Sequence, residues 1–150
     1  MKKILFVCHG NICRSPMAEF IMKKLVAEVG LENQFEIASA ATSTEELGNS
    51  VYPPARRKLA EHGINCDGKI ARQMNRSDYD YYDLLIGMDT YNIRNMNRIS
   101  CGDVDNKIKL LLDYCGDYGA SVADPWYTGD FEATWNDCLR GCTALLKTLL

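Results

Sequence analysis

Apolar and polar positions along this chain switch between a period near two and a period near 3.6. Ile4-Leu5-Phe6-Val7 is a short, β-rich apolar run closed by a glycine-containing turn, which predicts a buried strand. Ser15-Pro16 has the order of a helix N-cap followed by proline at the first helical position. Met17, Phe20, Ile21, Leu25 and Val29 then recur at helical spacing until Gly30 closes the helix. Residues 34–40 (QFEIASA) alternate as a second strand. Residues 43–54 (STEELGNSVYPP) lose any period at Gly, Asn, Ser and two prolines and read as a loop. A short helix over 55–63 ends at Gly63. Residues 83–88 (DLLIGM) form a third buried strand and 90–99 a helix. Residues 107–114 (KIKLLLDY) fit either period and are read as a fourth strand. Residues 121–130 are dense in turn formers, and Phe131, Trp135, Cys138, Cys142, Leu145 and Leu149 make a last helical stripe.

Alternating strands and helices predict an α/β domain with a mostly parallel sheet and right-handed crossovers. With no repeat, low-complexity segment or linker, residues 1–150 read as one domain. Ligands of such sheets gather at the carboxyl ends of the strands. The loop after the first strand falls on that edge.

Composition narrows the classes. Hydrophobic residues make up 47% and charged residues 25%, as in soluble globular proteins. A net charge of -3 argues against nucleic-acid binding, which shows a basic excess. No apolar run approaches the roughly 18 residues of a membrane span. The apolar stretch Ile4–Cys8 is shorter than a signal-peptide core of about 7–15 residues, so the expected location is cytoplasmic, without membrane association. Seven cysteines with no Cys-x-x-Cys pair, and histidines only at His9 and His62, argue against a zinc site. In a reducing compartment these cysteines are expected as free thiols.

The first loop, VCHGNICRSP over 7–16, carries the chemistry. A tight strand-to-helix turn lines up backbone N–H groups around a concavity, and the helix N-terminus adds partial positive charge, which suits a phosphate. The loop His9-Gly10-Asn11-Ile12-Cys13-Arg14-Ser15 is read as the phosphate cradle. Gly10 permits positive φ, and Asn11 tolerates it better than most residues. Arg14 offers a planar fork for two phosphate oxygens. Cys8, at the base of such an electropositive cup, is favoured as a thiolate and is a nucleophile for phosphoryl transfer. The plainer reading, a buried cysteine near a surface arginine, is weakened by the strand before the loop, the Gly-Asn turn within it and the Ser-Pro helix start after it.

The stretch VCHGNICRSPMAE resembles the phosphate-binding loop of the low-molecular-weight protein tyrosine phosphatases. The similarity continues through SAATS (39–43), GI (63–64), ARQ (71–73), MD (88–89) and DPWY (124–127), and so covers nearly the whole chain. The resemblance implies a single three-layer α/β domain, with a four-stranded parallel sheet flanked by helices. It also implies hydrolysis of phosphotyrosine and small aryl phosphates through a phosphocysteine, without metal or other cofactor, with inorganic phosphate or vanadate as inhibitor. Composition picks no acid among 20 acidic residues, and Asp124 before Pro125 reads on its own as the start of a turn. The resemblance makes Asp124 the general acid and base, and Trp126 and Tyr127 aromatic walls of the cleft. Ordinary packing is the plainer reading of that aromatic pair. Ser15, otherwise only a helix cap, would donate to the Cys8 sulfur. Asn11 and Ser39 would brace the loop, with Asp89 a further brace and Arg72 structural or at the surface. Cys13 reads either as a small buried residue or, as the resemblance supports, as a resolving thiol that captures oxidised Cys8. Cys66, Cys101, Cys115, Cys138 and Cys142 are assigned to packing or surface.

Three positions depart from the family. Glu45 stands where an aromatic often lines the cleft, and Glu46 adds a second charge to that lip. Lys69 stands where many members carry a bracing histidine, with an extra residue between GI and ARQ. His9 replaces an apolar residue and is expected at the rim. Two other functions compete: a thioredoxin-linked arsenate reductase, which needs a relay of two more cysteines, and a non-enzymatic phosphoprotein-binding module. A tyrosine kinase is the expected physiological counterpart.

Overall fold

The computed structural model describes residues 1–150. The chain runs β1 (Lys2–Cys8), α1 (Arg14–Glu28), β2 (Phe35–Ala41), α2 (Pro53–Glu61), α3 (Arg76–Tyr81), β3 (Leu84–Gly87), α4 (Thr90–Ile99), β4 (Ile108–Leu110), α5 (Pro125–Thr128) and α6 (Phe131–Leu149). The four strands form one sheet in the order β2-β1-β3-β4, and every pair is parallel. The predicted class therefore holds.

β1 is apolar without alternation because both of its faces are covered. Ile4 and Phe6 face a core shared with Met17, Ile21 and Met22 of α1, Leu59 of α2 and Cys138, Cys142 and Leu145 of α6. Leu5 and Val7 face the opposite layer, with Tyr79 of α3, Leu85 of β3 and Met96 of α4. No helix is long and apolar enough to cross a membrane.

Several secondary-structure expectations need correction, among them the loop read over 121–130, of which Pro125–Thr128 form the single turn α5. The segment 107–114 is a strand only over Ile108–Leu110 and continues as a 3-10 turn over Leu111–Cys115. The prolines assigned to the loop, Pro53 and Pro54, open α2, where their fixed φ suits the first turn. α3 was not read from the sequence at all. It is six residues long and is nucleated by a reciprocal capping box between Asn75 and Asp78.

The carboxyl edge of the sheet gathers the loops that follow β1, β2 and β3, in line with the rule for open α/β sheets. Cys8, the last residue of β1, pairs in register with Ala41, the last of β2. Gly87 ends β3 and lets α4 approach closely. A Cβ there would lie 2.8 Å from Ile93 Cδ1 and 3.0 Å from Met96 Sδ. That approach sets Asp89, the N-cap of α4, at the same edge.

Candidate active site

The loop between β1 and α1 is tied to the segment after β2 by three backbone bonds. Thr42 N–H donates to Cys8 O at 2.9 Å, Ser43 N–H to His9 O at 3.1 Å and Tyr52 N–H to Ile12 O at 2.9 Å. The turn itself differs from expectation. Asn11, with φ 61°, takes the left-handed conformation, and Gly10 does not. A Cβ at Gly10 would meet Glu46 Cγ at 3.4 Å, an ordinary contact, so neither backbone angle nor crowding demands glycine there. Asn11 tolerates its backbone because its side chain is fully used. Its Nδ2 donates to Ser15 Oγ at 2.7 Å and Ser39 Oγ at 2.9 Å, and its Oδ1 accepts from Arg72 N–H at 3.3 Å.

These bonds have a direction. Ser15 Oγ accepts from Asn11, so its own hydrogen is free for the Cys8 sulfur, 3.0 Å away. Asn11 N–H also donates to that sulfur at 3.3 Å. Ser39 Oγ accepts from Asn11 and donates to Glu19 Oε1 at 2.5 Å. Glu19 is buried and balanced by Lys23 Nζ at 2.7 Å and Lys69 Nζ at 3.8 Å. Lys69 Nζ also donates to Ser39 O at 2.9 Å, and burial pushes this ammonium's pKa down. Thus Lys69 stands behind the loop in the network that braces Ser39. Glu19 was missed from sequence. Its signal was a carboxylate four residues after Ser15, on the face of α1 that turns inward.

Ser15 is not a helix cap. α1 begins at Arg14, its N-cap residue is Cys13, and no side chain caps it. The Ser15 hydroxyl is committed to sulfur and Asn11 instead.

The backbone amides of Gly10, Ile12 and Cys13 donate to no acceptor within the chain. They border a cleft lined by Cys8, His9, Gly10, Asn11, Ile12, Cys13 and Arg14, and immediately beyond them α1 begins. Unpaired amides at a helix N-terminus make an anion site. Arg14 enters the cleft from below. Its Nη1 donates to Asp89 Oδ2 at 2.7 Å and to Val122 O at 3.0 Å, and its Nη2 lies 3.5 Å from Asp124 Oδ2. Burial opposes its charge, but Cys8, Asp89 and Asp124 outweigh that and hold its pKa above the ordinary arginine value. Asp124 caps α5, its Oδ1 accepting from Trp126 N–H at 3.0 Å.

The far rim carries Glu45, Glu46, Trp126 and Tyr127. Glu45 pairs with His9 Nε2 at 3.0 Å, and Glu46 accepts from Asn49 at 2.6 Å. His9 therefore lies at the rim of the cleft. Trp126 is half exposed and Tyr127 projects into solvent. Cys13 is buried, and burial, the Cys8 charge and Asp124 push its thiol up to about 12. Arg72 clamps Asp78 of α3 with two bonds of 2.9 and 3.1 Å, a structural place. No group of three or more His, Cys, Asp or Glu side chains is placed to hold a metal ion.

Residues 3–150 match the family model described as low molecular weight phosphotyrosine protein phosphatase. The low molecular weight protein-tyrosine-phosphatase YfkJ of Bacillus subtilis is 41% identical over 150 residues, covering 99% of this chain and 96% of that one. Its crystal structure superposes with a TM-score of 0.95 at 40% identity, over 99% and 94% of the two chains. The low molecular weight phosphotyrosine protein phosphatase of Rattus norvegicus is 42% identical, over 97% of this chain and 94% of its own. SP-PTP, the low molecular weight protein tyrosine phosphatase of Streptococcus pyogenes, aligns with a TM-score of 0.88 at 41% identity, over 100% and 94% of the two chains. With a family match along nearly its whole length, this chain belongs to the low molecular weight phosphotyrosine protein phosphatases.

Proposed function

We propose that the chain hydrolyses phosphotyrosine in proteins, and small aryl phosphates, through a phosphocysteine on Cys8. The open amides of the 9–15 loop and the Arg14 fork hold the phosphate oxygens. The Cys8 thiolate attacks phosphorus. The S–P bond forms as the P–O bond to tyrosine breaks, and Asp124 gives its proton to the departing phenolate. Water then attacks the phosphocysteine, Asp124 takes its proton, and the S–P bond breaks to release phosphate. The sulfur leaves as a thiolate that the Ser15 hydroxyl and Asn11 N–H stabilise. Arg14 and the amides act on charge that spreads over the transferring group. Trp126 and Tyr127 flank a flat aryl group and limit water.

The observation that carries this reading is the Cys8 sulfur. It receives two donors at the base of a cup that also holds Arg14 and Asp124. Rapid-quench turnover of p-nitrophenyl phosphate tests it. The expected result is a burst of nitrophenol with phosphate trapped covalently on the protein. Cys8→Ser loses both with an unchanged circular dichroism spectrum. Turnover by Cys8→Ser, or no covalent phosphate at any time, overturns the mechanism. Inorganic phosphate and vanadate act as competitive inhibitors in the same cup.

Location in the cytoplasm and partnership with a tyrosine kinase belong to the same reading. So does a redox role for Cys13. Peroxide oxidises Cys8 to a sulfenic acid, and the Cys13 thiol then displaces water to form a disulfide. Loss of the Cys8 negative charge on oxidation relieves one of the causes that keep Cys13 protonated. The arsenate-reductase alternative finds no support, because neither Cys101 nor Cys115 lines the cleft with Cys8.

A further inference from the structure

Asp124 caps and Trp126 lies within α5, a single turn that ends at Gly129 in the left-handed region, with φ 71°. One turn has little stability of its own. Its tryptophan is half exposed, so burial alone does not fix it. What meets Trp126 is Tyr52: the ring centroids lie 4.9 Å apart at 54°. The Tyr52 ring is backed in turn by Phe131 at the start of α6, at 6.1 Å and 29°.

Tyr52 itself has little freedom. It precedes Pro53-Pro54, which forces it into an extended conformation, with φ -57° and ψ 135°. Its N–H donates to Ile12 O in the phosphate loop at 2.9 Å, and its carbonyl accepts from Arg56 N–H at 3.0 Å. The residue is thus anchored on one side to the loop that holds Cys8 and on the other to α2. Its ring spans the gap to α5.

The consequence reaches the carboxylate. Trp126 N–H donates to Asp124 Oδ1 at 3.0 Å, while Oδ2 lies on the Arg14 side, 3.5 Å from Nη2. The orientation of Asp124 and the seating of Trp126 are therefore one mechanical unit. We propose that Tyr52 is the positioning residue for Asp124: its ring seats Trp126, and Trp126 turns the carboxylate toward the leaving oxygen. This rests on the reading of Asp124 as the general acid. Tyr52 touches no reacting atom, and its ring meets Trp126 and Phe131. The ring carries the effect.

The test compares the intact enzyme with Tyr52→Ala, Tyr52→Phe and Asp124→Asn, measuring kcat/KM on aryl phosphates of rising phenol pKa and on one alkyl phosphate. A well-placed acid makes the rate insensitive to the leaving group, and a misplaced one restores the dependence. Tyr52→Phe keeps the shallow dependence of the parent. Tyr52→Ala steepens it in the direction of Asp124→Asn, losing on the order of tenfold on phenyl and alkyl phosphates but less than about twofold on p-nitrophenyl phosphate. Inhibition by inorganic phosphate stays at the parental level in Tyr52→Ala, because the backbone bond to Ile12 remains. Should Tyr52→Ala fail to fold, Tyr52→Leu, which keeps apolar bulk without a ring, carries the same expectation. Equal loss on every substrate, or no loss on any, overturns the proposal while leaving the acid assignment standing. If Asp124→Asn shows no dependence on the leaving group, the acid assignment itself falls.

Discussion

Asp89→Asn removes one negative charge and almost no volume from beneath the proposed phosphate cup. Asp89 does two things with its two oxygens. Oδ1 accepts from Asn92 N–H at 2.7 Å and caps α4, while Oδ2 accepts from Arg14 Nη1 at 2.7 Å. Asparagine caps a helix about as well as aspartate, so the first function survives. The second does not, because an amide either presents N–H groups to the guanidinium or offers it a neutral oxygen. The pair is shielded, with Arg14 and Asp89 side chains 4% and 17% exposed. Breaking a buried pair costs about 3–5 kcal/mol, and losing a hydrogen bond to a charged group about 1.5–3 kcal/mol. Two features place this case at the low end: Asp89 keeps some contact with water, and Asp124 remains 3.5 Å from Arg14 as a second counter-charge. A loss of about 2 kcal/mol follows, which lowers Tm by roughly 4–8 °C in a chain of this size. Freed from its anchor, the Arg14 fork also loses its fixed approach to phosphate, and kcat/KM for p-nitrophenyl phosphate falls on the order of tenfold. Thermal unfolding followed by circular dichroism and initial-rate kinetics on one preparation measure both. An unchanged Tm together with an unchanged kcat/KM refutes the claim that Asp89 holds Arg14.

Two further predictions concern the rim and the buried thiols. The Glu45-Glu46 lip disfavours phosphopeptides with acidic residues beside the phosphotyrosine, so the double substitution Glu45→Gln, Glu46→Gln narrows the gap in kcat/KM between acidic and neutral peptides. An unchanged ranking disproves the electrostatic role of the lip. Burial pushes the Cys13 thiol up to about 12 and raises Cys138 and Cys142 in the same direction, whereas an unfolded thiol ionises near about 8.5. Above about pH 8.5 the unfolded chain thus binds fewer protons, and stability that is complete below that pH is lost as pH rises toward about 12. The urea midpoint is expected to fall steadily between about pH 8 and pH 10.5, and a flat profile contradicts it.

Much of the fold is legible in the chain because its signals are local. Ile4–Val7 declares a strand covered on both faces, and the stripe from Phe131 to Leu149 declares a helix with one buried side. The loop between β1 and α1 is legible for the same reason: cysteine, glycine, asparagine and arginine within one turn leave few chemical options. α3 was not legible, because six residues carry too little period. Its capping box and the Arg72 clamp on Asp78 act across a turn and between segments.

The site divides along the same line. Sequence by itself singled out the loop proposed to hold an anion, together with its cysteine and arginine, since neighbours in the chain are necessarily neighbours in space. It offered Ser15 two places, helix cap and donor to the Cys8 sulfur, because serine before proline is a strong local signal, and only the closed loop rules out the cap. Only the tertiary structure decided that Glu19 and Lys69 stand behind Ser39, that Asp89 and Asp124 share Arg14, and that Tyr52 reaches Trp126. These partners come from separate stretches of the chain: Glu19 from α1, Tyr52 and Lys69 from the segments after β2, Asp89 from the turn after β3, and Asp124 with Trp126 from the segment after β4. A parallel sheet brings the carboxyl ends of distant strands to one edge, so the groups that tune the cup are far apart in the chain and adjacent only when the sheet is formed.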